Sequence, residues 1–241
     1  MVVSVSNFFN ELDRFEIKCE TLKGVVDLHV VAEAPLTYTG ISKPMHFRDN
    51  KERYANYPIH YIDLSYLPET QAMKENPWRR EEAQREAVTA ELSKINPEIV
   101  IFGDTDETPK PDVVEQFRSL NCEIANLEMD MLFYFFNKLH PDKWPYQRIC
   151  KFRGKVAPRG DFSLPWIRDA GWHFAYFGGK ETLLKKIKAT SHGVEEGATI
   201  FYDQVANDKY PNLDICTEYP IEKLPQFVQD NQERFKDWFM S

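Results

Sequence analysis

The feature that most constrains the fold is a short apolar strand that runs straight into a cluster of acids. Residues 98–102 read EIVIF, and a continuous apolar strand of this kind is typical of a parallel sheet covered on both faces. Asn76-Pro77 opens a long helix before the strand, with Asn as the cap and Pro in the first turn. Another helix begins at Pro111. This alternation of helix and strand predicts an α/β fold.

The rest of the chain supports the same fold class but becomes irregular in its second half. Apolar periodicity and turn residues predict further helices at 8–22, 179–189, 195–207 and 221–239, and strands at 25–31, 61–64, 122–137 and 147–153. Residues 138–171 hold four prolines and two tryptophans, and a third tryptophan follows at 172. We interpret that stretch as a long functional loop, because long loops in compact domains usually carry function.

Composition excludes several classes of protein. The chain has 241 residues with a net charge of −8, whereas a protein that binds nucleic acid through phosphates is basic, so no nucleic-acid partner is expected. No apolar run approaches the ~18 residues of a membrane span. The N-terminus does not resemble a signal peptide, and the four cysteines form no CxxC pair. We therefore expect a soluble cytoplasmic protein.

The acids that follow the apolar strand are the sharpest chemical signal. Residues 103–109 read GDTDETP, so Asp104 and Asp106 point to the same side of an extended segment. Two carboxylates placed in this way repel each other unless a cation lies between them, and hard oxygen ligands suit Mg²⁺ or Mn²⁺. A solvated acidic turn that caps the next helix is the structural alternative.

Two enzyme chemistries use this local pattern. In a nucleotide-sugar transferase, the DxD binds a metal that holds the donor diphosphate. In a phosphatase of the haloacid-dehalogenase type, Asp104 is the covalent nucleophile and Asp106 a general acid. The second chemistry normally has its DxD near the N-terminus and an acidic pair later in the chain, and no convincing pair follows here. A sugar-nucleotide-binding module without catalysis is the non-enzyme alternative.

Several segments, in a consistent order, resemble glycosyltransferase family 17. They are residues 9–13 (FNELD), 25–33, Thr39-Gly40, Lys43-Pro44, His46-Phe47, 81–86 (EEAQRE), 104–109 (DTDETP), 169–179 (DAGWHFAYFGG) and 188–192 (KATSH). Thr108 departs from the apolar residue expected after the DxDE. The resemblance implies a GT-A-like fold with a mixed, mostly parallel sheet flanked by helices. It also implies a UDP-sugar donor, a glycan acceptor, Mn²⁺ or Mg²⁺, and inversion at the anomeric carbon.

On this resemblance, residues 1–241 form a single domain with a nucleotide-sugar-binding half (1–121) and an acceptor-binding half (122–241). The transferred sugar is expected to be N-acetylglucosamine. The metal ligands are expected to be Asp106 first, then Asp104, which acts through water or the ribose, and the downstream His192.

Inverting transfer needs a carboxylate that deprotonates the acceptor hydroxyl. The candidates are Asp169, which precedes the Gly-Trp-His segment, then Glu181 after Gly178-Gly179, then Glu107. Glu181 is equally explained as a favourable first-turn acid on a helix. Glu107 is expected to order the acidic turn or to touch the acceptor, and it is equally explained as an acid at the start of the next helix.

The remaining candidates are substrate-binding residues. Lys43 and Arg85 are expected to bind the diphosphate, and Glu33 to lie near the uridine. Trp172 either stacks on a sugar or belongs to the core, and His173 is expected to bind the donor phosphate or the acceptor. The basic residues of 185–188 either receive the diphosphate or keep one helix face soluble.

Overall fold

The computed structural model describes residues 1–155 and 160–240, and within them one continuous sheet runs through the molecule. Its ten strands are β1 Val2–Phe8, β2 Leu28–Glu33, β3 Ile59–Asp63, β4 Ile99–Asp104, β5 Glu107–Pro109, β6 Ile124–Phe133, β7 Lys138–Lys151, β8 Trp166–Ile167, β9 Gly171–Ala175 and β10 Thr217–Glu218. Helices flank the sheet: α1 Leu12–Thr21, α2 His46–Asp49, α3 Gln71–Glu75, α4 Pro77–Ile95, α5 Val113–Ser119, α6 Gly179–Ala189, α7 Glu196–Ala206 and α8 Gln226–Asp230. Short 3-10 turns lie at Lys51–Tyr54, Leu64–Tyr66, Ser191–Val194, Ile221–Lys223 and Lys236–Trp238.

The sheet has a parallel half and a mixed half. Along the sheet the strands lie in the order β3-β2-β1-β4-β7-β6-β9-β5, with β8 beside β6 and β10 beside β7. Strands β3, β2, β1 and β4 are mutually parallel, β7 runs antiparallel to both of its neighbours β4 and β6, and β9 is parallel to β6. The predicted fold class, α/β with a mixed, mostly parallel sheet flanked by helices, is confirmed.

The parallel strands end at one edge of the sheet and bring their last residues together. Asn7 of β1 is in register with Asp104 of β4, and Phe8 of β1 with Glu33 of β2. The acidic turn therefore lies at the carboxyl edge of the parallel strands, which is where open α/β sheets bind their ligands.

Apolar side chains cover both faces of the sheet and explain its continuous apolar strands. Val88 and Leu92 of α4 pack on one face against residues of β1, β2 and β4. On the other face Phe117 of α5 packs against β4, β6 and β7. The two predicted halves, 1–121 and 122–241, share this one sheet, and their assignment to donor and acceptor stays a prediction.

Four local predictions differ from the structure. The predicted helix at 8–22 begins only at Leu12, because the preceding residues form β1, a strand that the sequence analysis did not predict. The strand at 25–31 is shifted to Leu28–Glu33. The first part of the stretch predicted as a loop, 138–171, forms the long strand β7. The predicted helix at 221–239 is wrong. In its place, the five-residue α8 begins after Pro225, and a short 3-10 turn lies on either side of it.

None of the helices in the described ranges combines the length and the apolar character that crossing a membrane requires.

Candidate functional site

A cleft of about 1750 Å³ opens at the carboxyl edge of the parallel strands. The ends of β1 and β4 form its floor, α4 forms one wall, and α6 with the following turn forms another. Asp104, Thr105 and Asp106 all line it. The structure thus places the predicted metal-binding acids in this cleft.

The acidic turn is held in shape from behind by Glu107. This residue is fully buried, and its carboxylate accepts hydrogen bonds from the Asp104 backbone N–H (2.8 Å) and the Trp144 indole N–H (2.6 Å). A Cβ on Gly103 would lie only 2.1 Å from Glu107 Oε2, so only glycine fits before Asp104. Glu107 does not line the cleft, and in this position it orders the turn.

Asp106 is buried and surrounded by positive charge. Its side chain is only 4% exposed; the Lys186 ammonium donates to Oδ2, and the His173 ring nitrogen Nε2 lies 3.8 Å from Oδ1. Burial by itself would raise the pKa of Asp106, but the Lys186 charge and the His173 ring hold that pKa well below its usual range. Asp106 therefore remains a carboxylate at every pH near neutrality.

A second buried lysine lies beneath the turn. Lys18 of α1 is fully buried and donates to the Asp104 carbonyl oxygen (2.6 Å) and to Ser6 Oγ (3.0 Å). Burial lowers the pKa of Lys18, and the carboxylates of the acidic turn act in the opposite direction. The lysine fixes the position of the Asp104 backbone relative to β1.

Two further polar residues near the acidic turn are buried: Glu11, just before α1, and Arg14, within α1. Glu11 lines the cleft, accepts the backbone N–H groups of Phe9 and Asn10, and lies 3.9 Å from Arg14 and 3.7 Å from Lys186. The sequence analysis gave none of Glu11, Arg14 and Lys18 a role. The signal was available, because Arg14 and Lys18 lie one turn apart on the buried face of an amphipathic helix.

Two of the predicted diphosphate partners line the cleft. Arg85 of α4 lies 3.8 Å from Asp104 Oδ1, stacks over the Phe102 ring and pairs with Glu81. Lys43 also lines the cleft. Both cations are therefore placed where an anionic ligand next to the acidic turn would meet them.

Glu33 lies at the end of β2 but does not line the cleft. It is fully buried and accepts hydrogen bonds from Lys43 Nζ (3.3 Å), from the backbone N–H groups of Phe47 (3.0 Å) and Arg48 (3.2 Å), and from the Tyr61 hydroxyl. All of these bonds fix the loop after β2. The predicted contact between Glu33 and uridine does not fit this placement, because its carboxylate is already occupied in holding the loop.

His173 of β9 faces the cleft with an unsatisfied nitrogen. Its ring packs on Trp144 at 4.1 Å between centroids, and its buried Nδ1 has no hydrogen-bond partner. Buried polar atoms normally have partners, so a ligand oxygen is the natural one here. Trp144, which links His173 to Glu107, received no role in the sequence analysis because it was assigned to a loop.

Trp172 points away from the cleft into the core formed by the C-terminal segment. Its indole nitrogen donates to the Tyr219 hydroxyl (3.1 Å) and to the Lys223 carbonyl oxygen (3.0 Å), and the side chain is buried. Of the two alternatives given for this residue, sugar stacking does not fit this placement, because the ring is covered by protein.

The two leading base candidates lie outside the cleft. Asp169 is 72% exposed and pairs with Lys110 (2.6 Å), and Glu181 is 85% exposed and pairs with Lys185 (2.8 Å). Gly171 keeps Asp169 near the edge of the sheet, since any Cβ there would lie 2.2 Å from the Thr108 carbonyl oxygen. The catalytic role of either acid stays a prediction.

His192 lies in the turn after α6, against the N-terminal end of α4, and lines the cleft. Its Nδ1 is 2.8 Å from Glu195 Oε1, and its ring packs edge-on against Trp78. A carboxylate on one ring nitrogen is the usual arrangement of a metal-binding histidine, because it leaves the other nitrogen free to ligate. Across residues 1–155 and 160–240, however, no three His, Cys, Asp or Glu side chains are grouped closely enough to hold a cation by themselves.

The donor set at the turn still fits a hard divalent cation. Asp104 and Asp106 present carboxylate oxygens to the same cleft, and Mg²⁺ in particular is usually bound by one or two carboxylates together with substrate phosphates and water. The cleft adds Arg85, Lys43 and Lys186, which are suited to phosphate oxygens. The arrangement can thus bind a diphosphate and a cation side by side.

Comparisons with solved structures give distant likenesses. "Crystal structure of S. aureus TarS 1-349" is 11% identical, with 98% of this chain and 74% of that chain covered and a TM-score of 0.41. "Crystal structure of S. aureus TarS" is 12% identical, with 100% and 50% covered and a TM-score of 0.43. "Crystal Structure of a Mycobacterial Protein" is 15% identical, with 54% and 41% covered and a TM-score of 0.34. The chain thus spans half or less of two of these three proteins.

No curated protein sequence matches the chain significantly. A comparison with protein families matches residues 2–208 to glycosyltransferase family 17. The match includes β1 to β9, α1 to α7 and the whole acidic turn. It confirms the resemblance found in the sequence segments, and the chain belongs to glycosyltransferase family 17.

Proposed function

We propose that the cleft transfers N-acetylglucosamine from UDP-GlcNAc to a glycan acceptor, with inversion at the anomeric carbon and with the help of a divalent cation. The observation that carries this proposal is the acidic turn at the carboxyl edge of β4. Asp104 and Asp106 line the cleft there, together with Arg85, Lys43 and Lys186. Carboxylates next to an array of cations suit a metal-bound diphosphate.

The donor diphosphate would lie between α4 and α6. Arg85 is held by Glu81 on one side and by the Phe102 ring below, so its guanidinium is oriented before a ligand arrives. An oriented guanidinium binds phosphate oxygens in pairs and loses little conformational entropy on binding. His173 lines the same cleft, with its Nε2 3.8 Å from Asp106 Oδ1.

Asp104 and Asp106 would hold Mn²⁺ or Mg²⁺, with His192 as a further ligand. When bound, the cation supplies Lewis acidity that stabilises the departing diphosphate. Lys18 and Glu107 keep the turn in place by binding the Asp104 carbonyl oxygen and N–H. The protein thereby fixes both aspartates before the ligand binds, which avoids reorganisation during the reaction.

The acceptor would enter along the part of the cleft that residues after 121 line. Aromatic side chains line this part, among them Trp144, Tyr146 and Tyr176. Among the described residues after 121, Glu195 is the one acid that lines the cleft, so we propose it as a base candidate beside Asp169 and Glu181. Its carboxylate is about half exposed and can reach an acceptor hydroxyl.

A calorimetric screen of UDP-, GDP- and CMP-sugars with Mn²⁺ tests the donor assignment. We expect binding of UDP-sugars that disappears when the cation is chelated, and UDP-GlcNAc should bind more tightly than UDP-glucose. Equal binding of all three nucleotides, or none of UDP-sugars, contradicts the proposal.

A further inference from the structure

Lys186 occupies the position at which a cation would approach Asp106. It lies in the last turn of α6, and its ammonium reaches the Asp106 carboxylate and lies 3.7 Å from Glu11 Oε1. The lysine side chain is 17% exposed and lines the cleft. Lys186 is therefore a mostly buried counterion of Asp106 whose side chain also contacts the cleft.

The charge on Asp106 is already balanced in this arrangement. Lys186 pairs with it directly, and the His173 ring nitrogen lies 3.8 Å from its other oxygen. A divalent cation that binds Asp106 would meet the lysine ammonium at close range, and like charges in a partly buried site repel strongly. The cation and the ammonium therefore compete for this carboxylate.

The lysine can leave Asp106 without losing an anionic partner if a diphosphate is present. Its side chain is a flexible four-carbon stem with a charge that can turn in any direction, unlike a guanidinium. The same cleft contains Asp104 with Arg85 at 3.8 Å, so a diphosphate bound there lies within the space that Lys186 lines.

We propose that Lys186 is an exchangeable counterion: it neutralises Asp106 in the free protein and transfers to the donor diphosphate when a divalent cation takes its place. Cation and nucleotide therefore bind as a coupled pair, and the cation alone binds weakly. This inference rests on the proposed function for the identity of the diphosphate, whereas the competition between Lys186 and the cation can be measured without any nucleotide.

The test compares Mn²⁺ binding to the wild type, Lys186→Met and a control, Lys180→Met, by calorimetry and by the electron spin resonance of free Mn²⁺. Lys180 lies on the same helix but pairs with Asp208 and does not line the cleft. Without nucleotide we expect Lys186→Met to bind Mn²⁺ at least ~10-fold more tightly than the wild type, within the range of typical coupling between sites. The Lys180 control should match the wild type.

The second arm repeats the Mn²⁺ titrations with saturating UDP. UDP should tighten Mn²⁺ binding strongly in the wild type and much less in Lys186→Met, because the lysine no longer links the two ligands. Unchanged Mn²⁺ affinity in Lys186→Met without nucleotide overturns the proposal, as does the absence of Mn²⁺ binding from both proteins.

Two further results keep the test decisive. If melting curves show that Lys186→Met does not fold, Lys186→Gln replaces it, since the amide can still bond to Asp106 without carrying a charge. If UDP does bind, wild-type protein that binds Mn²⁺ as tightly alone as with UDP overturns the proposal whatever the variants do. If UDP fails to bind even with Mn²⁺, the proposed function fails, but the nucleotide-free comparison still decides the role of Lys186.

Discussion

The Lys186 ammonium contacts the Asp106 carboxylate although the two residues lie 80 positions apart in the chain. The contact joins α6 to the acidic turn after the apolar strand β4 and places a charge pair in the cleft wall. It holds the pKa of Asp106 well below its usual range, against the effect of burial, which would raise it. The second aspartate of the DxD is thus a fixed carboxylate and not a proton donor.

Asp106→Asn should abolish Mn²⁺-dependent UDP binding and leave the fold intact. A neutral amide oxygen binds a hard divalent cation more weakly than a charged carboxylate does, while Lys186 can turn its charge into the cleft that it already lines. Calorimetry measures the binding, and melting curves check the fold. Asp142→Asn, a change at a side chain that is 81% exposed, serves as the control. Unchanged metal-linked UDP affinity in Asp106→Asn would remove the metal role from this residue.

Incubation with aryl phosphates and Mg²⁺ should leave no phosphate on Asp104. A phosphatase of the haloacid-dehalogenase type needs Asp106 as a protonated general acid beside the nucleophile, and the Lys186 charge opposes that protonation. Mass spectrometry after rapid acid quenching detects an aspartyl phosphate. A phosphorylated Asp104 would favour the phosphatase.

Three variants locate the general base: Glu195→Gln, Asp169→Asn and Glu181→Gln. Loss of a general base typically lowers the rate ~10²–10⁴-fold. UDP-sugar affinity should stay near that of the wild type in Asp169→Asn and Glu181→Gln; Glu195 also holds His192, so Glu195→Gln is compared at saturating Mn²⁺ and UDP-sugar. Because Glu195 lines the cleft and the other two acids do not, we expect the large loss in Glu195→Gln. A loss confined to Asp169→Asn would instead support the role predicted from the sequence, and one confined to Glu181→Gln would move the role there.

In the parallel half of the fold, α4 and β4 were predictable because their signals are local, whereas β1 was not predicted. Asn76 caps α4 with its side chain, as its position before Pro77 indicates, and the helix ends at Ile95. By contrast, β7 contains Pro141 and Pro145, and prolines in a sequence argue for a loop. The pairing of β6 with β7 is irregular at this stretch, and bulges are where a strand tolerates proline.

The position of the acidic turn was predictable, but its surroundings were not. Asp104 and Asp106 follow an apolar strand, so their place at the sheet edge follows from the sequence alone. Lys18 and Lys186 come from two helices on either side of the turn in the chain, and only the packing of the sheet brings them together. The sequence around Trp172 contains no signal that distinguishes a core tryptophan from one that binds sugar.

Stability should depend on pH through His29 of β2. Burial, with a smaller effect from the Lys18 charge, lowers the pKa of His29 to about 4, against about 6.5 in the unfolded chain. Between these values the unfolded state binds the extra proton. The free energy of unfolding should therefore be complete above pH ~6.5 and fall by about 3 kcal/mol as the pH drops to 4.

Denaturant titrations of the wild type and His29→Leu across this pH range measure the effect. The variant retains the contribution of the carboxylates but lacks that of His29, so its stability should decline less steeply between pH 6.5 and 4. Parallel curves for the two proteins would show that His29 does not titrate differently in the folded state.

Product analysis with UDP-GlcNAc, Mn²⁺ and a mixture of glycans tests the central claim most directly. We predict that the wild type releases UDP in step with a glycan extended by one sugar, and that Asp106→Asn releases none. Inorganic phosphate as the product, or donor binding by the wild type with neither UDP nor an extended glycan formed, would contradict glycosyl transfer in this cleft.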